Sequence, residues 1–376
     1  MVRLALVGLG KMGLSHLSIV RAHPEVNLVG VCDPSRFMLE LLGKNAGLET
    51  FNDLETMIER ARPEAIIVAT PSRFHGEIVR VALERGIHVF CEKPFCLDWN
   101  ESADLSELAE RKALVNQVGY HYRFVASFQE VKRLLEANAI GDVTHVLAEA
   151  YGPVVLRAAG SSWRTQKAEG GGCLYDYAAH PINLLNWYFG MPARVGGTVI
   201  KKIFSRDTDD EVYGTVFFED GPSAQISVNW SDESYRKMSV KLSIWGKAGR
   251  IFADRQECKV YLRDGTESVT GYSKGWNVRH TTELTEAVWF YVRGEEYSAQ
   301  IDYFVKCIAS GSHENVNSFA AAAQTDQLMS MMRDDAQAVI SAPSASPSVQ
   351  QRKRVLFGRL EEGRAVTNDA KFAFWR

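Results

Sequence analysis

MVRLALVGLGKMG, residues Met1–Gly13, decides the fold. An apolar run, Leu4-Ala5-Leu6-Val7, leads into Gly8-Leu9-Gly10-Lys11-Met12-Gly13, and a helical pattern leaves it. The spacing G-x-G-x-x-G between a strand and a helix describes a dinucleotide-binding turn. Its first glycine permits the tight turn and its second lets the backbone approach a pyrophosphate. The third lets the helix pack on the strand, with its amino-terminal amides facing the anion. Asp33 closes the next apolar run about 20 residues on, where a carboxylate accepts hydrogen bonds from an adenosine ribose. That carboxylate favours NAD, because it would repel the extra phosphate of NADP. Arg36 leaves NADP open, since it can stack on adenine, clamp a 2′-phosphate or sit solvated at a helix start. No Gly-Lys-Ser/Thr follows the glycines, which disfavours ATP chemistry.

To about residue 120, short apolar runs alternate with helical patterns. Arg3–Leu9, Asn27–Asp33, Glu64–Thr70, Gly86–Cys91 and Leu114–Gly119 read as strands, with Glu77–Arg85 and Ser102–Lys112 among the helices between them. Such alternation predicts βαβ units and an α/β class: an N-terminal Rossmann domain over residues 1–120, with a doubly wound parallel sheet. Beyond it, helical stretches near Phe124–Asn138 and Gly171–Phe189 accompany a long alternation of β-branched and polar residues from Arg194 to Val269. Turn signals at Glu219-Asp220-Gly221, Gly246–Gly249 and Arg263-Asp264-Gly265 predict antiparallel hairpins. The expectation is a C-terminal α+β domain over residues 121–340, built on an open antiparallel sheet. Helices near Ser298–Ser310 and Ser318–Ile340 close it. Residues 341–376 read as a flexible linker (Ser341–Ser348) and a tail whose Phe372, Phe374 and Trp375 can pack on the body or on a sister subunit.

Composition narrows the class. The 376 residues are 46% hydrophobic and 24% charged, ordinary for a globular protein. Lys plus Arg total 43 against 46 Asp plus Glu, so no basic surplus exists of the kind nucleic acid demands. No apolar run reaches the roughly 18 residues of a membrane span, and the first residues lack a signal-peptide pattern. These features predict a cytoplasmic protein with no nucleic-acid or membrane partner. The 6 cysteines are scattered without a C-x-x-C pair, which predicts reduced, buried thiols and no metal site.

After the strand ending at Cys91 comes Glu92-Lys93-Pro94, placed outside the carboxyl ends of the strands, where open sheets bind their ligands. A lysine there can hold its charge near a substrate hydroxyl or simply be solvated. Further on, Gly170-Gly171-Gly172 precedes Asp176 and His180, which share a face at i,i+4. A carboxylate beside an imidazole fixes its tautomer and raises its basicity, although such a pair can equally serve only to stabilise a helix.

In order and spacing, Gly8–Gly13, Asp33, Ala69-Thr70-Pro71 with His75, Glu92-Lys93-Pro94 and Asp176-x-x-x-His180 resemble the Gfo/Idh/MocA family of glucose-fructose oxidoreductases, inositol dehydrogenases and their relatives. The resemblance runs over almost the whole chain to about residue 340. It implies an open sheet that often serves as an oligomer interface, a homodimer or homotetramer, and a sugar or polyol site between the two domains. It also implies that His180 takes the proton of the hydroxyl being oxidised, Asp176 orients and charges the imidazole, and Lys93 holds the substrate oxygen. The implied cofactor positions are Gly8, Leu9, Gly10, Lys11, Met12, Gly13, Asp33, Arg36, Thr70, Pro71, His75, Glu92 and Lys93.

Tyr120-His121-Tyr122-Arg123 and Trp163-Arg164 match segments that border nicotinamide and substrate. Tyr120, Arg123, Trp163, Arg164 and His180 are therefore expected at the substrate, with packing an equal reading for Tyr120, His121 and Tyr122, and ion pairing open for both arginines. The segment Tyr151–Gly172 is expected to set specificity. Arg123, Arg157, Arg164 and Lys167 are the cations available to an acidic substrate. The implied activity is hydride transfer between a secondary hydroxyl of a sugar, cyclitol or sugar derivative and NAD(P). Two alternatives stay open: a glycosidase with transient NAD chemistry, and a non-catalytic dinucleotide-binding sensor or repressor. H-E-x-x-H and G-x-S-x-G motifs are absent.

Overall fold

Val2–Val7 (β1) carries an almost unbroken apolar run, and Leu4, Ala5 and Leu6 are fully buried, as a strand covered on both faces requires. In this computed structural model, which describes residues 1–156, 163–265, 269–313 and 315–341, β1 is central to a parallel sheet. With β2 (Val26–Cys32), β3 (Thr50–Phe51), β4 (Ala65–Val68), β5 (His88–Cys91) and β6 (Asn116–Val118), the order is β3-β2-β1-β4-β5-β6. Every neighbouring pair is parallel. This is the doubly wound order, and the strand direction of winding reverses between β1 and β4, opening a crevice over their carboxyl ends. The expected strands are all present within a residue or two of their anticipated bounds, and β3 joins them at the edge.

Helices α1 (Lys11–Ala22), α2 (Arg36–Ala46), α3 (Leu54–Ala61), α4 (His75–Glu84) and α5 (Trp99–Arg111) cover this sheet. Side chains cap three of these five at the amino end: Ser35 on α2, Asp53 on α3 and Asp98 on α5 accept from the Met38, Thr56 and Asn100 amides. At α1 the N-cap is Gly10, which offers no side chain, so the first amides of that helix keep their donors for something else.

The second sheet is larger. β7 (Val143–Tyr151), β8 (Arg194–Lys201), β9 (Glu211–Phe217), β10 (Ser223–Asn229), β11 (Ser239–Gly246), β12 (Gly249–Ala253), β13 (Glu257–Leu262) and β14 (Gly275–His280) run in the order β14-β13-β12-β11-β7-β10-β9-β8. Consecutive strands pair antiparallel as expected within β8–β9–β10 and within β11–β12–β13–β14, and β7 lies between the two groups, parallel to β10 and antiparallel to β11. Two strands extend the anticipated region: β7, which sits centrally before it, and β14 after it. One face of the sheet is packed by α6 (Ala126–Glu136), α7 (Ala179–Phe189) and α10 (Phe319–Ser341). After the single-turn α8 (Thr281–Leu284), α9 (Glu295–Ser310) returns to the parallel sheet. There Ile301, Phe304 and Val305 join Leu4, Leu6, Ile19 and Phe90 in one apolar cluster. Residues Met1–Ser341 form one compact unit. The expected linker and tail, with Phe372, Phe374 and Trp375, lie outside the described residues, as does Arg157.

Candidate active site

Fingerprint residues shape one end of a cavity of about 1500 Å³ over the carboxyl ends of β1 and β4. Gly8 has φ +96 and sits so close to β4 that a Cβ would lie 2.7 Å from the Ala69 carbonyl. A Cβ on Gly13 would lie 1.9 Å from the Gly8 carbonyl oxygen, so only glycine lets α1 start there. Gly10, by contrast, has open space where its Cβ would be, and it lines the cavity with Gly8, Lys11 and Met12. An uncapped helix end with open backbone is the cradle a pyrophosphate needs. Asp33 accepts from the Leu9 amide at 2.6 Å and the Ser35 amide at 2.8 Å, which fixes its carboxylate on the cavity wall. These features fit an adenine dinucleotide: Gly8–Met12 would hold the pyrophosphate and Asp33 the ribose.

Along the same cavity the β5 turn brings Glu92 and Lys93 inward. Glu92 is buried, and its Oε1 lies 2.7 Å from His16 Nε2 on α1. Burial alone would raise the Glu92 carboxyl, but the His16 hydrogen bond and charge, with help from Lys93, outweigh it and hold the group below its ordinary range. Lys93 Nζ donates to the Asp176 carbonyl at 2.9 Å and to Asp176 Oδ1 at 2.7 Å. Arg164 Nε donates to the other oxygen, Oδ2, at 2.8 Å. The Asp176 carboxyl is likewise pushed up by burial and pulled further down by these two cations, so it is ionised. A buried carboxylate with both oxygens paired costs far less than a bare one.

Asp176 lies in a π-helical turn, Leu174–Ala178, that opens α7. This single wide turn changes the expected geometry. Asp176 makes no hydrogen bond to His180 and gives its carboxylate to Lys93 and Arg164, so the expected orientation of the imidazole by Asp176 is not what the side chains do. His180, in the first turn of α7, is held by rings: His121 at 5.1 Å, Tyr122 at 5.0 Å and Tyr120 at 6.3 Å between centroids. Its Nδ1 is buried with no hydrogen-bond partner. Burial, and then the Lys93 charge, hold its pKa well below the usual 6.5, which keeps the imidazole neutral near pH 7.

Of the sequence-derived candidates, Gly8, Gly10, Lys11, Met12, Asp33, Thr70, Pro71, Glu92, Lys93, Trp163, Arg164, Asp176 and His180 line this cavity. Leu9 and Gly13 stand behind it. Four expected side chains, Arg123, Tyr120, His75 and Arg36, do not line it. Arg123 turns away into the interior, where it donates to Asn183 Oδ1 at 2.7 Å, the Asn183 carbonyl at 3.0 Å and the Val316 carbonyl, so it is a structural cation. Tyr120 is buried behind His180, and its backbone carbonyl accepts from Asn317. His75 is buried beneath the site: Nδ1 meets the Pro94 carbonyl at 3.0 Å and Nε2 meets the Thr70 carbonyl at 3.0 Å. It ties the β4 and β5 turns together, and does not reach the cavity wall. Arg36 is exposed on α2, away from the cavity, and Lys167 is exposed too.

Sequence reasoning missed His16, although a signal existed: it shares the buried stripe of α1 with Gly13, Leu17 and Val20, where a polar residue needs a partner. It also missed Lys237, Arg255, Arg293 and Tyr297, which line the cavity from separate loops and the start of α9. No local pattern marks them.

A parallel dinucleotide-binding sheet, a second sheet and a cavity lined by Lys93, Asp176 and His180 define a two-sheet oxidoreductase of the NAD-binding class. Residues 2–120 match the oxidoreductase family with an NAD-binding Rossmann fold, and residues 128–252 match the GFO/IDH/MocA C-terminal domain. The chain belongs to the Gfo/Idh/MocA family. It is 25% identical over 271 residues to D-glucoside 3-dehydrogenase of Escherichia coli (strain K12), covering 66% of this chain and 76% of that protein. To scyllo-inositol 2-dehydrogenase (NAD(+)) of Bacillus subtilis (strain 168) it is 27% identical over 256 residues, 67% and 73% of the two chains. Its fold matches levoglucosan dehydrogenase in complex with NADH and levoglucosan with a TM-score of 0.79 at 22% identity, over 90% of this chain and 97% of that one.

Proposed function

We propose that this protein is an NAD-dependent dehydrogenase that moves hydride between a secondary hydroxyl of a sugar, cyclitol or sugar derivative and nicotinamide. The observation that carries the reading is the placement of a neutral, buried His180 and a cationic Lys93, locked on Asp176, in the cavity that the dinucleotide turn opens. Bound NAD supplies the hydride acceptor. Lys93, held on Asp176, brings its ammonium to the site, where it polarises a substrate oxygen and favours the alkoxide. His180 takes the proton: Nδ1 is sealed, so Nε2 is the nitrogen available to the hydroxyl. Asp176 positions Lys93 and Arg164, and Trp163 and Arg164 face the substrate. Glu92, fixed by His16, lines the cavity with Thr70 and Pro71 and would border the bound dinucleotide.

The reading extends to domain use and surroundings. Residues 1–120 serve the cofactor and residues 121–340 the substrate. The 6 cysteines are all buried and unpaired, which suits a cytoplasmic home, and no described helix is long and apolar enough to cross a membrane. We take the working form to be a homodimer or homotetramer.

The test is NADH formation, followed by near-ultraviolet absorbance, with sugars, inositols, sugar phosphates and sugar acids, in the wild type, Lys93→Ala and His180→Ala. Turnover of one class, reduced at least roughly 100-fold in both variants with NAD affinity intact, is the expected outcome. Tight NAD binding without net NADH on any of them overturns the dehydrogenase reading and turns attention to redox-neutral cleavage of aryl glycosides.

A further inference from the structure

A side pocket of about 380 Å³ adjoins the substrate end of the main cavity and shares Tyr122, Lys237, Met238 and Arg255 with it. Arg236, Lys237 and Arg255 line this pocket, and among the described residues no carboxylate does. Arg293 lines the main cavity beside it. These cations come from unrelated places: Lys237 precedes β11, Arg255 follows β12 and Arg293 precedes α9. The glycine turn and α1 already provide a pyrophosphate cradle, whereas these cations gather around Tyr122 and Tyr297, whose neighbours are His180 and His121, and so are available to a substrate.

Two of the three are built into position. Arg255 Nη2 donates to the Arg293 carbonyl at 3.2 Å and pairs with the buried Glu296. Gly294 lets this pair close against the backbone, since a Cβ there would lie 2.3 Å from Arg255 Nη2 and 2.4 Å from the Glu296 carboxylate. Arg293 holds φ +67, a conformation that non-glycine residues adopt rarely and that recurs at binding sites, and its guanidinium lies over the Tyr297 ring at 5.4 Å. Lys237 is exposed and, like Arg293, forms no ion pair among the described residues. Glu296 offsets one charge, and a positive surplus remains.

We propose that the substrate carries a fixed negative charge, a phosphate or a carboxylate, which Lys237, Arg255 and Arg293 hold where the side pocket meets the main cavity. The proposal rests on the dehydrogenase reading and names its substrate class: an anionic sugar or cyclitol. A second observation points to the same convergence. His121, buried against Tyr297 with ring centroids 4.6 Å apart, is held well below its ordinary pKa first by burial and then by His180, Arg255, Lys93 and Arg293. Of the cations named from the sequence, Arg123 is turned inward, Arg164 lines the main cavity on Asp176 but not the side pocket, and Lys167 lines neither.

The experiment measures binding to the NADH-loaded protein by titration calorimetry, with glucose, glucose 6-phosphate and glucuronate, and with myo-inositol and its monophosphate. Lys237→Ala and Arg293→Ala are compared with the wild type, and both side chains are exposed enough for the fold to tolerate the change. The expected result is at least tenfold tighter binding of an anionic probe than of its neutral parent. That preference should fall severalfold in each variant and with added salt, with NADH affinity unchanged. Preference for the phosphate or for the carboxylate says which anion the pocket takes. Equal binding of charged and neutral probes, or a preference untouched in both variants, overturns the proposal whether or not any sugar is oxidised. Anion preference with no NADH formation on any substrate leaves the anion site standing and overturns the dehydrogenase reading instead.

Discussion

His180 and Asp176 differ in what burial does to them. Both are almost wholly buried in the cavity wall, and burial opposes charge in both. Asp176 has two cations on its two oxygens and stays ionised, whereas His180 has only the positive Lys93 nearby and stays neutral. The sign follows for activity. A base that must be neutral fails when the pH drops below its pKa, and lowering that pKa moves the failure to lower pH. We therefore expect kcat/KM of the wild type, on whichever substrate proves active, to stay level through pH 6.5 and decline only below it. A pH–rate profile checks this, and an acid limb at or above 6.5 would contradict a desolvated imidazole. Lys93, Asp176 and His180 were singled out from the sequence by motif order and spacing together with the family resemblance, and all three line one cavity. Their pairing was not legible: i,i+4 spacing suggests Asp176 beside His180, and a π turn redirects the carboxylate to Lys93.

Among the elements, α10 carries the most unusual buried group. Asp326 faces α5, where its Oδ2 accepts from Ser102 Oγ at 2.6 Å and the Cys96 amide at 3.2 Å, while Oδ1 is buried with no partner. Burial pushes this carboxyl up to about 7, only partly offset by those two bonds. Below its ordinary value of 3.8 the group is protonated in both the folded and unfolded chain. Between there and about 7 the folded state keeps a proton that the unfolded state releases, so this contribution to stability is lost as the pH rises, and above that it is flat. Asp326→Asn removes the titration and keeps an acceptor for Ser102. The variant should gain in Tm relative to the wild type between pH 5 and pH 8, as read by thermal melts at both. A gap that does not change with pH would mean the carboxylate is already accommodated as an ion.

Legibility at this scale follows period and length. The strands of the parallel sheet were readable because burial on both faces leaves continuous apolar runs. β3 is two residues long, too short to show a period. β7 is nine residues long, yet its outward positions include Leu147 and Tyr151, which blur the alternation, and no hairpin announces it because its neighbours β10 and β11 are distant in sequence.

For the whole molecule, the open face of the second sheet has its own consequence. Register places Leu147 on β7, Tyr213 and Phe217 on β9, Trp245 on β11, Phe252 on β12, Tyr261 on β13 and Trp276 on β14 on the side away from α6, α7 and α10. Cations lie over several of these rings: Arg194 at 3.5 Å from the Phe217 centroid, Arg250 at 4.5 Å from Trp245 and Lys259 at 5.7 Å from Phe252. Trp276 is 58% exposed and Tyr261 39%, adjacent across the β13–β14 pair with ring centroids 5.4 Å apart. A broad surface of aromatic rings between polar groups resembles an association face more than a monomer's ordinary surface. A sheet presented to a second copy forms a self-complementary patch, which closes as a twofold pair. Sedimentation velocity at micromolar concentration should therefore give at least the mass of a dimer for the wild type. Trp276→Asp and Leu147→Asp, placed at the edge and the centre of that face, should shift it toward the monomer with NAD affinity retained, because neither residue lines the cofactor cavity. A wild type that sediments as a single copy would show that this face stays solvated, and the aromatic rings would then owe their presence to cross-strand pairing within the sheet alone.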